Sequence, residues 1–141
     1  TRDQVERIVD QYLNSKAPKF RTKALITYRL AEEIKQVLSS TSPYCEIGTA
    51  SFRHWARTRF LFNEQYELCF KNVKSTSNDN SISLIGKPVG LKEDLYEILT
   101  TAHQNCHHRG RDVTYEQVKK RHSLVPKQLC DMVVKACSYC N

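Results

Sequence analysis

Apolar side chains in the first forty residues recur at the spacing of one helical face. The first stripe, which predicts an amphipathic helix over 3–14, contains Val5, Ile8, Val9, Tyr12 and Leu13. Pro18 interrupts this pattern. A second stripe predicts another helix over 22–38, with Thr22 as its N-cap.

The middle of the chain changes to short aromatic segments. A loop rich in Ser, Thr, Pro and Gly is predicted over 39–51, and the spacing of Phe52 and Trp55 predicts a short helix after it. Residues 59–62 and 66–71 then predict two strands joined by a turn, because aromatic residues suit a half-buried pleated surface. The polar residues 74–81 predict a solvated loop, and 82–85 a further strand.

Three more helices are predicted in the C-terminal part. Residues 91–103 carry an apolar face and end in a histidine. Thr114, with Gln117 three positions later, predicts the capped start of a second helix. Pro126 suits the first turn of a third helix, which ends at Cys137.

These elements predict an α+β fold that is mostly helical and organised in three segments. Residues 1–49 form an N-terminal helical segment. Residues 50–90 add a helix and a small β-sheet, and 91–141 form a helical unit with metal-ligating residue types. No apolar run approaches the roughly 20 residues that span a bilayer, so no membrane association is expected.

Charge and cysteine content narrow the kind of partner and site. With 22 Lys and Arg against 15 Asp and Glu, the net charge of +7 favours partners with negative surfaces, although it is also an ordinary charge for solubility. The six cysteines could form three disulfides in a secreted protein. Because two of them form a Cys-x-x-Cys pair downstream of histidines, a reducing compartment and a metal site are favoured.

The spacing of histidine and cysteine in the last forty residues predicts a zinc site. A histidine cluster follows the helix over 91–103, and two further helices then lead to Cys137-Ser-Tyr-Cys140. Two His and two Cys complete the tetrahedron that Zn²⁺ prefers in structural sites. Such a site joins the ends of a unit whose own core is small, so metal binding contributes to folding.

The same residues resemble the His-His-Cys-Cys zinc domain at the N-terminus of retroviral and LTR-retrotransposon integrases. The matching residues occur in the family order: His103, His108-Arg-Gly110, Thr114, Val125-Pro126 and Cys137-Ser-Tyr-Cys140. Phe52-Arg-His-Trp55 and the strands resemble the extension that precedes this domain in some integrases. A closer resemblance is to the nucleolar protein 4 family, in which such a domain is domesticated, and the resemblance covers about residues 50–141.

This resemblance implies a three-helix unit with one structural Zn²⁺. The implied ligands are His103, His108, Cys137 and Cys140. His107 remains the alternative to His108, since three residues separate the histidines in many retroviral integrases, whereas His108 has the His-x-Gly context. The integrase catalytic domain would follow Cys140.

We expect no catalytic residues in the chain. No carboxylate triad for two metal ions, Gly-rich phosphate loop or paired nucleophile and base is recognisable, and no small-molecule substrate is predicted. We therefore predict a non-catalytic interaction module of a nuclear protein acting in transcription or chromatin, with a protein partner or self-association. An active integrase fragment is the least favoured interpretation.

The alternative function is DNA or RNA binding by basic residues around the last two helices. Their layout resembles a helix-turn-helix, in which cations contact phosphates. The predicted nucleic-acid-binding residues are Arg109, Arg111, Lys119, Lys120, Arg121 and Lys127, with Lys135 nearby.

Overall fold

The computed structural model describes residues 2–40, 45–71 and 87–140 of the chain. Within these ranges it contains seven α-helices and one two-stranded antiparallel sheet, which confirms the predicted α+β, mostly helical class. The helices are α1 Arg2–Asn14, α2 Pro18–Ala24, α3 Tyr28–Ser39, α4 Ala50–Arg59, α5 Leu95–Asn105, α6 Arg111–Lys119 and α7 Lys127–Ala136. The strands are β1 Phe60–Phe62 and β2 Leu68–Phe70. None of these helices is long and apolar enough to cross a membrane.

The helix predicted over 22–38 is two helices, α2 and α3. Leu25 and Ile26 are extended between them, and both are buried. The Ile26 carbonyl accepts a hydrogen bond from the Lys92 amide at 2.8 Å, so this short segment pairs with a distant part of the chain. The prediction that Thr22 caps a helix is wrong, because α2 begins at Pro18 and the Thr27 side chain caps α3.

One apolar cluster, the C-terminal cluster, combines the first helix with the last three. Its buried members are Val5, Ile8, Val9, Tyr12, Leu25, Leu95, Ile98, Leu99, Ala102, Val118, Val125, Leu129, Cys130 and Val133. The Gln4 side chain donates a hydrogen bond to the Ala136 carbonyl at 3.0 Å, which fixes the start of α1 against the end of α7. The three predicted segments remain a prediction, but residues from the first and third share this core.

A second apolar cluster, the aromatic cluster, lies under α3, α4 and the sheet. Its buried members are Ile26, Ala31, Ile34, Val37, Ala56, Phe60, Leu68 and Val89, with Phe52, Trp55 and Phe70 packed against them. The Phe60 ring meets Trp55 and Phe70 edge-on, with centroids 5.1 and 5.5 Å away. Such edge-to-face contacts are the favoured geometry of aromatic rings.

The two clusters are connected by the sheet and by residues 89 and 90, which lie beside it. In β1 and β2, Phe60 is opposite Phe70, and the Leu68 carbonyl accepts a hydrogen bond from the Val89 amide at 2.8 Å. Gly90 continues this segment, and a Cβ there would lie 2.4 Å from a methyl carbon of Val125, so only glycine fits this approach. The predicted loop over 74–81 and strand over 82–85 lie outside the described residues.

Candidate metal centre

The first histidine of the site lies on the last turn of α5. The residues of this helix that face the C-terminal cluster include Leu95, Ile98, Leu99 and Ala102. His103 follows on the same side and is 4% exposed. A histidine so deeply buried needs partners for both ring nitrogens, and both have one in the structure.

The turn after α5 separates the two neighbouring histidines. His107 and His108 have positive φ values of 58° and 59°, which is uncommon for residues other than glycine. The His108 amide donates to the His103 carbonyl at 2.9 Å, so the chain folds back on the end of its helix. As a result the His107 side chain is exposed, while His108 is half-buried beside His103.

The two cysteines come from a turn after α7. The Cys137 amide donates to the Val134 carbonyl at 3.2 Å, and the Cys140 amide donates to the Cys137 carbonyl at 3.2 Å. This turn brings both thiols back toward α5. The Cys-x-x-Cys spacing therefore acts as the sequence suggested, with one short turn presenting two sulfur atoms to one point.

The structure brings His103, His108, Cys137 and Cys140 together as a group that could hold one metal ion. One ligand atom from each lies within 4.8 Å of all the others. Cys140 Sγ is 3.3 Å from His103 Nε2, and Cys137 Sγ is 3.6 Å from His108 Nδ1. Around a tetrahedral Zn²⁺, the Zn–N and Zn–S bond lengths give separations of about 3.3–3.8 Å between ligand atoms, and both His–Cys separations lie in this range.

The thiols are arranged so that one ionises before the other. Burial raises the pKa of the Cys137 thiol, but hydrogen bonds from the Cys140 backbone and side chain outweigh it, and the net shift is downward. Burial and the neighbouring Cys137 raise the pKa of Cys140. A cation would favour both thiolates, since metal ligation requires deprotonated sulfur.

Thr114 contacts the far side of the His103 ring. It is 0% exposed, and its hydroxyl lies 3.2 Å from His103 Nδ1 and 3.3 Å from the Arg109 carbonyl, to which it donates. With its proton used on that carbonyl, the hydroxyl accepts from Nδ1–H and leaves Nε2 unprotonated toward Cys140. Burial, with His108 nearby, lowers the pKa of His103, which favours the same neutral form.

The predicted role of Thr114 as the start of a helix is therefore wrong. Helix α6 begins at Arg111 with Gly110 at its N-cap, so Thr114 lies inside the helix and makes no capping box with Gln117. It is buried because it shares a helix face with Val118, four residues later. That spacing was visible in the sequence and identifies Thr114 as an inward polar group.

The remaining cysteines do not join the group. All six cysteines are free thiols, and Cys69, Cys106 and Cys130 are buried. Burial raises the pKa of Cys130 to about 11, which keeps this thiol protonated and unreactive at neutral pH. Cys45 is half-buried and lies in the part of the chain near α4.

Acidic neighbours balance several of the predicted nucleic-acid-binding residues. Asp112 pairs with Lys127 at 2.8 Å and with Arg111 at 3.2 Å, and these cations lower its pKa. Lys119 pairs with Glu116 at 2.8 Å. Arg109, Lys120 and Arg121 have exposed side chains and take part in no ion pair within the described ranges. The last two helices therefore present less free charge than the sequence indicates.

Neither a protein-family model, nor a curated protein, nor a solved structure matches this chain.

Proposed function

We propose that this chain is a non-catalytic binding module whose C-terminal half is held together by one structural Zn²⁺. His103 Nε2, His108 Nδ1, Cys137 Sγ and Cys140 Sγ would hold the ion. The observation that carries the proposal is the convergence of these four ligand atoms within 4.8 Å of one another. Bound Zn²⁺ would supply Lewis-acid charge that fixes both thiolates, and no reaction is required of it.

The choice of Zn²⁺ follows from the donor atoms. Two imidazoles and two thiolates are the donor set of closed structural zinc sites, whereas Mg²⁺ and Ca²⁺ prefer oxygen. Four protein ligands leave no coordination position for water or substrate, which is the usual difference between a structural and a catalytic site.

The two ligand pairs also lie at positions where a cross-link would stabilise the fold of the C-terminal helices. One pair lies at the end of α5 and in the turn after it, and the other follows α7, so the ion would close loops between residues that are 29 and 37 positions apart. In the unfolded chain no such preformed site exists, and binding energy therefore becomes folding energy.

As in the sequence-based interpretation, we propose that the module belongs to a nuclear, transcription- or chromatin-associated protein derived from an integrase, and that it binds a protein partner or a second copy of itself. The resemblance of the His-x-Gly and Cys-x-x-Cys motifs supports this proposal. Nucleic-acid binding by the last two helices is the alternative, and the ion pairs of Asp112 and Glu116 count against it.

The first experiment measures zinc per chain by elemental analysis of protein purified under reducing conditions. We expect one equivalent in the wild type, less than about a tenth of it in Cys137→Ser, and a full equivalent in Cys45→Ser, a control that removes a half-buried thiol outside the group. A folded, reduced wild-type protein without metal would refute the proposal.

The neighbouring histidines provide a second, closely matched pair of variants. Asparagine tolerates positive φ better than most residues, so His107→Asn and His108→Asn test ligation with little backbone strain. We expect His108→Asn to weaken zinc binding by at least a hundredfold and His107→Asn to leave it within about threefold of the wild type. The reverse result would assign the second nitrogen ligand to His107.

A further inference from the structure

The positive charge of this chain is concentrated in two tracts that contain no acidic residue. Residues 11–31 and 47–63 hold eight of the 22 Lys and Arg and none of the 15 Asp and Glu. The rest of the chain holds 14 basic against 15 acidic residues, so it is close to neutral. The whole excess of +7 therefore lies in these tracts, which contain α2, the start of α3, and α4.

The fold brings the two tracts together. Lys23 on α2 places its Nζ 4.6 Å from the ring centroid of Trp55 on α4. Lys19 lies one helical turn before Lys23, on the same side of α2. On α4, Arg59 is exposed and lies one helical turn after Trp55 on the same side of the helix, so cations from both helices lie on the side of the Trp55 ring.

Several cations of the tracts already have partners within the chain and are therefore not available to a ligand. Arg21 donates to the carbonyls of Leu13, Asn14 and Lys16, which caps the end of α1. Arg29 pairs with Glu33 at 3.6 Å.

On α4, Arg53 likewise donates to the carbonyls of Ile47 and Gly48, so it does not belong to the surface. Among the ion pairs of residues 2–40, 45–71 and 87–140, none involves Lys19, Lys23, Arg57 or Arg59. Of these, Lys19, Lys23 and Arg59 lie on the side of the Trp55 ring and remain available to a negatively charged ligand.

An exposed aromatic ring lies among these cations. Phe20 is 57% exposed, although it is a large apolar residue, and Lys19 Nζ is 4.9 Å from its ring centroid. Phe20 is adjacent to Lys19 and three residues from Lys23, on the same side of α2. Burial in the core does not explain this ring, since α2 contributes only Ala24 at its end to the C-terminal cluster.

We propose that this α2–α4 surface, formed by Lys19, Phe20, Lys23, Trp55 and Arg59, binds single-stranded nucleic acid. The cations contact backbone phosphates, and an unpaired base stacks on Phe20. Alternating cations and an exposed ring are the arrangement by which proteins hold single strands without reading their sequence. A duplex offers no free base face, and an acidic protein would need the charge but not the ring. An anionic membrane also takes up an exposed aromatic ring beside cations, so vesicles are one arm of the test. The proposal does not depend on the zinc site.

The test is fluorescence anisotropy with a labelled oligothymidylate of about twenty nucleotides, titrated across about 50–200 mM salt. We expect micromolar or tighter binding at the lower salt concentration, and a weaker affinity for a duplex of the same length. The triple variant Lys19→Glu, Lys23→Glu and Arg59→Glu should bind at least thirtyfold more weakly. Its salt slope should fall by about two, because each lost phosphate contact removes about 0.7.

A second triple variant matches the first in total charge. Lys119→Glu, Lys120→Glu and Arg121→Glu also changes six units of charge, but on α6 and the turn after it, where the alternative function would place the ligand. At the same salt concentration, we expect this variant to bind the oligonucleotide within about threefold of the wild type. Equal losses in both triples would refute the proposed surface, and a loss confined to the second would assign binding to the last helices.

The ring is tested separately from the charge. Phe20→Ala should weaken binding by about tenfold with an unchanged salt slope, as expected for one lost stacked base. Tyr66→Asn removes another exposed ring, 78% exposed, at a position with positive φ that asparagine tolerates, and should have no effect. Zinc content and circular dichroism of the same samples show whether each variant is folded, independently of binding.

Two further probes separate the nucleic acid from other anions. Polyglutamate and phosphatidylserine vesicles carry negative charge without bases. Binding of either at an affinity equal to that of the oligonucleotide would refute nucleic acid as the ligand. Absence of wild-type binding to the oligonucleotide at about 50 mM salt and 100 μM protein would also refute it.

Discussion

The two apolar clusters of this chain are held in different ways. The aromatic cluster depends on packing alone, with Phe60 1% exposed between the rings of Trp55 and Phe70. The C-terminal cluster has an apolar centre of similar kind, but one end of it is formed by imidazole and thiol groups gathered at one point. The stability of the aromatic cluster depends on how completely its side chains fill the interior. The stability of the C-terminal cluster also depends on the ligand of those four groups.

The comparison shows why a small domain uses two kinds of stabilisation. The aromatic cluster is built from a sheet and two helices, α3 and α4, that pack against one another. The helices α5, α6 and α7 alone form a short unit with a limited core, which gains α1 on one side and the four-residue group at the end. Small units of this kind usually need a metal or another cross-link.

The largest expected effect is that of metal removal on the C-terminal cluster. Structural zinc contributes about 10–16 kcal/mol in small zinc domains, which rivals the whole stability of an ordinary domain. In a zinc-loaded protein treated with a strong chelator, we expect amide protection to collapse first in α5, α6 and α7, and to persist longest in α3. Hydrogen exchange measures this order, and an equal loss in both clusters would show that they unfold as one.

The next largest effect is expected from a substitution that removes packing from the aromatic cluster. Phe60→Ala should lower the free energy of unfolding by about 3–5 kcal/mol, because it leaves a cavity among Trp55 and Phe70. Zinc content should stay at one per chain. Phe62→Ala is the control: this ring is only half-buried and should cost about 1 kcal/mol. Loss of zinc in a folded Phe60→Ala protein would contradict the separation of the two clusters.

A smaller effect concerns the hydroxyl behind His103. Thr114→Val keeps the shape of the side chain but removes the acceptor for His103 Nδ1. We expect zinc affinity to fall by about 10–100-fold, the usual effect of losing a partner that orients a ligand histidine. Competition with a chelating dye measures the affinity. Thr101→Val, at an exposed position of α5, should leave it unchanged, and equal losses in both variants would indicate a general helix effect.

The smallest effect is a pH dependence at the boundary between the clusters. Burial lowers the pKa of His122, with Arg121 acting in the same direction and Asp94 and Glu67 opposing it. The folded state therefore resists protonation, so this residue's contribution is complete above the unfolded pKa of about 6.5 and is lost as the pH falls through the lower folded value. Thermal unfolding at several pH values should be less pH-dependent in His122→Asn than in the wild type, and identical slopes would contradict this role.

The features that the sequence predicted are those encoded by neighbouring residues. Apolar spacing identified most helices, because each stripe must face a core. The Cys137 and Cys140 pair and the His-x-Gly motif were recognisable because each ligand pair lies within one turn of chain. The structure gathers the same four residues, with His108 rather than His107 in the group.

The features that the sequence did not reveal depend on distant residues. Nothing near Ile26 indicates that it pairs with Leu91, and this pairing is why the helix predicted over 22–38 is interrupted. Lys127 and Asp112 lie on different helices, so their ion pair could not be read from helical spacing. The charge of each tract is visible in the sequence, but the contact between Lys23 and Trp55 is a property of the fold.

The docking of α1 against α7 has a consequence for how the chain folds during synthesis. The hydrogen bond from Gln4 to Ala136 joins residues 132 positions apart, and the apolar face of α1 packs against helices near the other end of the described chain. When α1 leaves the ribosome, its neighbours on α5 and α7 are still untranslated, and only α2 follows it directly. Its buried face must stay in water or in a chaperone until α7 emerges, since contacts so far apart in sequence are slow to form. Shortening that interval, by moving α1 to follow α7 in a circular permutant, should speed folding without changing any native contact of the C-terminal cluster.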